Sequence, residues 1–347
     1  MTAAPRRIAF IADGGPTVGG GHVMRCLTLA RVLQMQGVDC VFLADPDVEK
    51  ILMTFAPDMP RLEVRSMERN NLAPTLATLP VEALVFDHYG LGRVDHLALA
   101  DSRPSLVIDD LANRPIGGDL VLDSGLHRRP LDYTLLTDGS AQLLLGPDYA
   151  PVRAEFAARR AEALTRRNSP VKRLLVTLGL MDVGGLTAQI IDRIRPRLGD
   201  IALDVVLGSQ APSLKSLTRI ATHDRRITLH VDSPDMGQLI QDADLAIAAA
   251  GSTVWEVCSL GLPAILVVVA ENQRQAAQAL AARGAALLAE GTGDLLWGQI
   301  DRALVRLMTD SSLRAQVSEA AQRVCDGHGA DRVSQALLDL IGSRAPI

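Results

Sequence analysis

The sequence predicts an α/β protein of two Rossmann-like domains, and three observations carry that prediction. Short β-rich apolar runs alternate with helical patterns along all 347 residues. Hydrophobic residues make up 48% of the chain and aromatics only 3%, so the interior must be built from Ala, Leu, Val and Ile. That composition suits buried parallel strands flanked by Ala/Leu helices. The rhythm breaks once, over residues 151–170, which divides the length into two parts of about 150 residues or more, a usual domain size.

In order, the first strand is expected at Arg7–Asp13 (RIAFIAD), followed by a Gly-rich turn and a helix from His22 to Gln36. Further strands are expected at Asp39–Ala44, Leu62–Val64, Ala83–Asp87, Ser105–Asp109, Leu120–Asp123 and Gln142–Leu145. Most end at Asp or Gly, as strands do where a loop begins over a ligand cleft. The charged stretch PVRAEFAARRAEALTRRNSP reads as a helical connector closed by an Asn-Ser-Pro turn. A second series follows at Arg173–Leu178, Ala202–Leu207, Arg226–Val231, Leu245–Ala249 and Ala264–Val269, with mainly helix after Gly293. The expected organisation is therefore a first domain over 1–150, a connector over 151–170 and a second domain over 171–347. Two parallel sheets facing one another would place a ligand in the cleft between them, at the carboxyl ends of the strands.

The net charge of −5 argues against a nucleic-acid partner. Cys26, Cys40, Cys258 and Cys325 are scattered and form no CxxC pair, which reads as reduced thiols and neither a zinc site nor a disulfide frame. The opening MTAAPRR has no apolar signal region, and the longest apolar stretch, near Leu260–Ala270, falls short of the ~20 residues of a membrane span. A soluble cytoplasmic protein is expected.

Four clusters carry possible chemistry. Gly14-Gly15 and Gly19-Gly20-Gly21-His22 follow a strand and open a helix, where glycines let the backbone approach an anionic ligand. Met24 stands where a dinucleotide fingerprint needs its third glycine, and no Gly-Lys-Ser/Thr follows for a Walker loop. His22 lies in the first helical turn, where the macrodipole opposes positive charge. It reads equally as a general base toward water or as a helix-capping histidine. Arg25, one turn on, reads as half of an ion pair, with Asp13 the expected partner. Asp87-His88-Tyr89 closes a strand with groups able to reach a polar ligand, or forms a solvated loop.

Gly251-Ser252-Thr253 with Glu256 follows the apolar strand LAIAAA. Its backbone and hydroxyl donors suit phosphate, and Glu256 suits a ribose diol. The same letters spell a capping box, Thr253-x-x-Glu256. Glu271-Asn272-Gln273 begins a helix and offers amides to sugar hydroxyl and acetamido groups. Asp242-Ala243-Asp244 spells D-x-D but precedes a buried strand, and reads as a helix end and turn; Asp109-Asp110 reads as a strand-end polar pair.

Together and in this order, these segments resemble the UDP-sugar hydrolases of pseudaminic acid biosynthesis. The resemblance runs through IADGGPTVGGGHVMRCLTLA, VFDHYGLG, VIDDLANRP, DLVLDSG, LLGPDYAPVRAEF, ADLAIAAAGSTVWEVCSLGLP, ENQ and the closing Asp326-Gly327-His328-Gly329-Ala330, covering nearly the whole chain. It implies the two-domain GT-B architecture of metal-independent glycosyltransferases. It also implies hydrolysis of UDP-2,4-diacetamido-2,4,6-trideoxy-β-L-altropyranose to UDP and free sugar, with no cofactor and no metal. His22 would be the base; Glu256 would meet the ribose, and Gly251, Ser252 and Thr253 the diphosphate, with Gly20, Gly21 and Gly179 adding to the UDP site. Asp87, Tyr89, Asn272 and Gln273 would place the sugar. Glycosylation of flagellin is the family-level setting.

Two positions depart from the family pattern. Gly20 stands where a Thr is usual, and Leu180 follows Gly179 where a second glycine is usual, so Leu180 is left out of the binding set. The rival readings are a GT-B glycosyltransferase using the same donor class and a non-catalytic UDP-sugar sensor. The segment Val48–Leu76 lacks the basic, apolar anchor that a membrane-acceptor transferase would carry. The broken fingerprint counts against a nicotinamide dehydrogenase.

Overall fold

The computed structural model describes residues 6–15, 18–167 and 169–344. The opening MTAAP, Pro16 and Thr17 of the first loop, and Asn168 of the expected turn lie outside the described residues. The chain forms two compact units, each built on an all-parallel sheet.

In the first unit, strands β1 (Arg7–Ala12), β2 (Asp39–Ala44), β3 (Arg61–Glu63), β4 (Ala83–Asp87), β5 (Ser105–Ile108), β6 (Leu120–Asp123) and β7 (Gln142–Leu145) are ordered β3-β2-β1-β4-β5-β6-β7. Strands β1, β4, β5 and β6 are almost wholly buried, which explains their continuous apolar runs. The order reverses between β1 and β4, so a crevice opens beyond their carboxyl ends. One side of the sheet packs Ile8, Phe10 and Phe42 against Val23, Leu29 and Leu33 of the helix Gly21–Met35.

The second unit holds β8 (Arg173–Thr177), β9 (Ala202–Leu207), β10 (Ile227–Val231), β11 (Leu245–Ala249), β12 (Ala264–Val267) and β13 (Leu287–Ala289), ordered β10-β9-β8-β11-β12-β13. Here the reversal falls between β8 and β11. Strand β13 is absent from the sequence reading, because its three residues sit inside an Ala-rich stretch without alternation. Among the described residues no helix is long and apolar enough to cross a membrane.

Two segments group differently from the sequence reading. The charged stretch forms the helix Ala154–Arg166, and from Glu155 it belongs to the second unit. Arginines fasten it there: Arg167, 6% exposed, donates to the carbonyls of Leu260 (2.8 Å), Ala243 (2.6 Å) and Ile240 (3.0 Å). The last helix, Gly329–Arg344, belongs to the first unit and not to the second domain expected over 171–347. Its buried Val333, Leu337 and Ile341 recur every four residues and join the cluster around Ile8 and Phe10.

Gly329 makes that docking possible, since a Cβ there would run into the backbone of Ala150. Gly329→Ala is therefore expected to destabilise by about 1–3 kcal/mol, as overpacking does. A urea midpoint unchanged from wild type would contradict this packing.

Candidate functional site

In the first unit the polar residues collect where β1, β4, β5 and β6 end. The loop after β1 is pinched by a pair of backbone bonds, Gly19 N–H to Gly15 O (2.7 Å) and Gly15 N–H to Gly19 O (3.2 Å). Gly15 holds φ +133°, a conformation that glycine permits, and its missing Cβ leaves room for the Asp47 carboxylate. Gly20 is the N-cap of the next helix and Gly21 its first residue, so His22 points inward from the first turn and is only 5% exposed.

Parallel pairing sets Asp87, the last residue of β4, beside Ala12 at the end of β1. His22 Nδ1 lies 2.6 Å from Asp87 Oδ1. Arg25, one turn further along the helix, grips the same carboxylate with Nε (2.5 Å) and Nη2 (2.6 Å). Burial alone would raise the Asp87 pKa, but the Arg25 and His22 partners hold it well below the usual carboxylate range. Arg25 is also desolvated, and Asp87 and Asp110 outweigh that to keep it firmly charged. An ionised Asp87 can only accept, so the 2.6 Å contact calls for a proton on Nδ1, with Arg25 Nη2 3.1 Å from the same nitrogen, and turns Nε2 away from the carboxylate. His22 makes no cap on its helix; its partner is the Asp87 carboxylate, which neither sequence reading named.

Two expectations are corrected here. Arg25 pairs with Asp87 and Asp110 and not with Asp13, whose carboxylate instead accepts the Gly14 N–H (2.9 Å) and lies 3.8 Å from His88. Asp87, expected to touch the sugar, is fully buried behind His22 with both oxygens engaged. Tyr89 does come forward: its ring meets His22 edge-on at 4.5 Å, and its hydroxyl donates to Asp110 Oδ1 at 2.6 Å.

Behind this front lies a network that sequence reasoning missed. Arg114 donates to Asp109 (2.6 Å) and to the carbonyls of His88 (3.1 Å) and Leu91 (2.9 Å), fixing the loop that carries Tyr89. Arg128 donates to Asp123 (2.6 Å) and to the Asp110 carbonyl (2.6 Å). The fully buried Tyr133 hydroxyl sits 2.9 Å from Asp109 and 2.7 Å from Asp123, joining the two ion pairs. Burial pushes Asp123 up to about 6, against the opposing pull of Tyr133 and Arg128. The available signal was that two neighbouring strand patterns end in Asp; which Arg and Tyr would meet them depends on tertiary adjacency.

In the second unit Gly179 follows β8, Gly251, Ser252, Thr253 and Glu256 follow β11, and Asn272 and Gln273, expected at the sugar, follow β12; the three strands are sheet neighbours. Gly179, exposed at φ +90°, begins the loop after β8. The Leu180 carbonyl accepts the Gly208 N–H (2.9 Å). Buried Asp182 holds the loop by accepting from Thr187 N–H (2.9 Å), Thr187 O–H (2.6 Å) and Ser213 N–H (3.1 Å).

After β11, Ser252 is the N-cap and Thr253 the first residue of the helix Thr253–Ser259, and Ser252 makes no side-chain cap. The capping-box reading of Thr253 and Glu256 is thereby corrected, because Thr253 is one residue too far into the helix. Gln273 reaches from the turn after β12 toward Gly251: its Oε1 accepts the Val269 N–H (3.2 Å), and a Cβ on Gly251 would lie 3.4 Å from its Nε2. Asn272, exposed on the same turn, stands beside Glu271, which is paired with Arg274. Asp242 ends a helix, and Asp244 accepts the N–H groups of Lys172 (2.7 Å) and Arg173 (2.9 Å), so that carboxylate is committed to the start of β8. Among the described residues no three His, Cys, Asp or Glu side chains are grouped to hold a metal ion.

Residues 215–332 match the model of the glycosyltransferase family 28 C-terminal domain, a stretch that includes Gly251–Gln273. The chain is 23% identical, over 78% of its length, to an uncharacterized protein of Methanocaldococcus jannaschii, of which it spans 57%. It is 24% identical, over 80% of its length, to the UDP-2,4-diacetamido-2,4,6-trideoxy-beta-L-altropyranose hydrolase of Campylobacter jejuni, spanning 97% of that protein. A crystal structure of Acinetobacter baumannii MurG superposes with a TM-score of 0.67 at 18% identity, covering 96% of this chain and 100% of that one. The fold is that of the GT-B glycosyltransferases.

Tyr133→Phe removes the hydroxyl shared by two buried carboxylates and should cost about 1–3 kcal/mol of stability at neutral pH. Asp123 has a folded pKa of about 6, above its ordinary 3.8, so its protonated form is favoured by folding. That contribution is complete below the unfolded value and is lost as pH rises through about 6. Urea titrations of wild type and Asp123→Asn across this range should diverge in that sense. Parallel curves would show that Asp123 titrates normally.

Proposed function

We propose that the chain is a cytoplasmic nucleotide-sugar enzyme that hydrolyses UDP-2,4-diacetamido-2,4,6-trideoxy-β-L-altropyranose to UDP and the free sugar. The observation that carries this reading is His22, held at Nδ1 by Asp87 at the β1/β4 switch point with Nε2 left to accept a proton. The family 28 match over residues 215–332 and the named Campylobacter relative support a UDP-sugar as substrate.

In this reading His22 Nε2 takes a proton from water as the oxygen attacks the anomeric carbon. The bond from that carbon to the β-phosphate oxygen breaks, its electron pair stays with UDP, and the anomeric centre inverts. Asp87 stabilises the imidazolium that forms, and ion-paired Arg25 keeps Asp87 charged for that task. Glu256 receives the ribose hydroxyls. Ser252, Thr253 and the backbone N–H groups of Gly251 and Gly179 meet the diphosphate, with Gly20 and Gly21 as further backbone donors. Tyr89, Asn272 and Gln273 orient the sugar. The charge leaving with UDP is met by hydrogen-bond donors, so the scheme calls for no metal or cofactor.

The family 28 match equally names glycosyltransferases, and a transferase would use the same base on an acceptor hydroxyl. The test follows UDP release from the nucleotide sugar by proton NMR, with chelator present. Wild type should release UDP in water and yield the inverted anomer first, and His22→Ala should be slower by about 10²–10⁴-fold. Intact substrate, despite saturable UDP binding, would overturn the hydrolase. Transfer restored by an added acceptor would then identify a transferase, and binding without turnover a sensor.

A further inference from the structure

Asp110 was read from the sequence as half of a strand-end polar pair, yet the structure separates the two residues. Asp109 faces the buried Tyr133, whereas Asp110 is 30% exposed at its side chain and lies at the front beside Arg25. Its two oxygens have different partners. Oδ2 accepts from Arg25 Nη1 at 3.0 Å, and Oδ1 accepts the Tyr89 hydroxyl at 2.6 Å. The Asp110 carbonyl is itself held by Arg128 Nη2 at 2.6 Å, so the whole residue is fixed.

A phenol has one proton, and a carboxylate beside an arginine only accepts. The Tyr89 proton is therefore committed to Asp110, so any further hydrogen bond at its oxygen is one that it accepts. The same bond fixes the ring. Tyr89 stands at 89° to the His22 ring with centroids 4.5 Å apart, and the Arg114 guanidinium lies 6.0 Å from the Tyr89 centroid. Asp87 restrains His22 at Nδ1, and the perpendicular Tyr89 ring packs against it.

We propose that Asp110 is a positioning residue, which braces Tyr89 against His22 and makes the Tyr89 hydroxyl an acceptor toward the substrate. This rests on the hydrolase reading for its kinetic consequence, though not for its geometry. The acceptor role suits a sugar bearing an N–H or O–H donor at that position, as an acetamido group does.

The experiment is a double-mutant cycle on turnover of UDP-2,4-diacetamido-2,4,6-trideoxy-β-L-altropyranose, combined with NMR of the tyrosine rings, of which the chain has 3. Asp110→Ala and Tyr89→Phe should each lower kcat/KM about 10–100-fold, the worth of one charge-assisted hydrogen bond. The double variant should be no slower than Tyr89→Phe alone. If Asp110→Ala costs as much in the Tyr89→Phe background as in wild type, Asp110 acts through Arg25 and the proposal falls. The NMR arm needs no turnover. A nuclear Overhauser contact between the Tyr89 and His22 rings should be present in wild type and lost in Asp110→Ala, with a shift of the Tyr89 Cζ resonance. An unchanged contact would overturn the brace even in an active enzyme. An inactive wild type that shows the contact and its loss would overturn only the hydrolase.

Discussion

The Asp87 carboxylate is the contact on which the first unit's chemistry depends. It has no solvent access, and a lone charge there would be forced to take up a proton. Arg25 prevents this with two short bonds, and His22 makes use of the result. Arg25 is then itself a largely desolvated cation, which Asp110 helps to balance. Each member of the chain is tolerable only because the next is present, so the group behaves as a unit and pairwise contributions within it do not add. Cys26, also against Asp87, has its thiol driven far up by burial and by that negative charge, which makes it an inert filler.

The parallel sheets explain why such groups sit where they do. Strands β1, β4, β5 and β6 bury nearly all of their residues, leaving no place along their length for a charge. In these strands acidic side chains come only where the strand ends, and Asp87, Asp109 and Asp123 do so side by side. The second unit uses its strand ends differently. Its loops after β8 and β11 present glycines, hydroxyls and backbone N–H groups, and the buried Asp182 serves to hold a loop in shape. One unit concentrates ionisable groups, and the other concentrates uncharged donors.

The sequence made the architecture legible wherever the signal is local. Apolar runs of four to six residues that close on Asp or Gly give strands in both units, because burial on two faces demands such runs. Strand β13 fails this test, being three residues in an Ala-rich context. The last helix has a readable apolar stripe, but a stripe does not say which sheet it covers; Gly329 against Ala150 decides that. The position of His22 in the first helical turn was likewise readable, while the partner of Arg25 was not. Asp13 is nearer in sequence, yet the β1–β4 register brings Asp87 into reach. The Tyr133 network was invisible for the same reason, since its members come from two strands and a later turn.

The geometry also bears on why hydrolysis and transfer share one fold. An imidazole fixed by a carboxylate can accept a proton from any hydroxyl that reacts at its other nitrogen, so on the proposed reading the His22–Asp87 pair would not choose the nucleophile. The choice falls to the groups bordering Nε2. Among them, Tyr89 is held rigid by Asp110 and Arg114, and the loop that carries it is tied down by two carbonyl contacts. A rigid border admits a small nucleophile without rearrangement, whereas a large acceptor would require that border to move. Breaking the ties of Asp110 and Arg114 to Tyr89 and its loop would require disturbing the ion pairs behind them. On the proposed hydrolase reading, a preference for water would be set by the second rank of residues, Asp110, Arg114 and Arg128, more than by His22 itself.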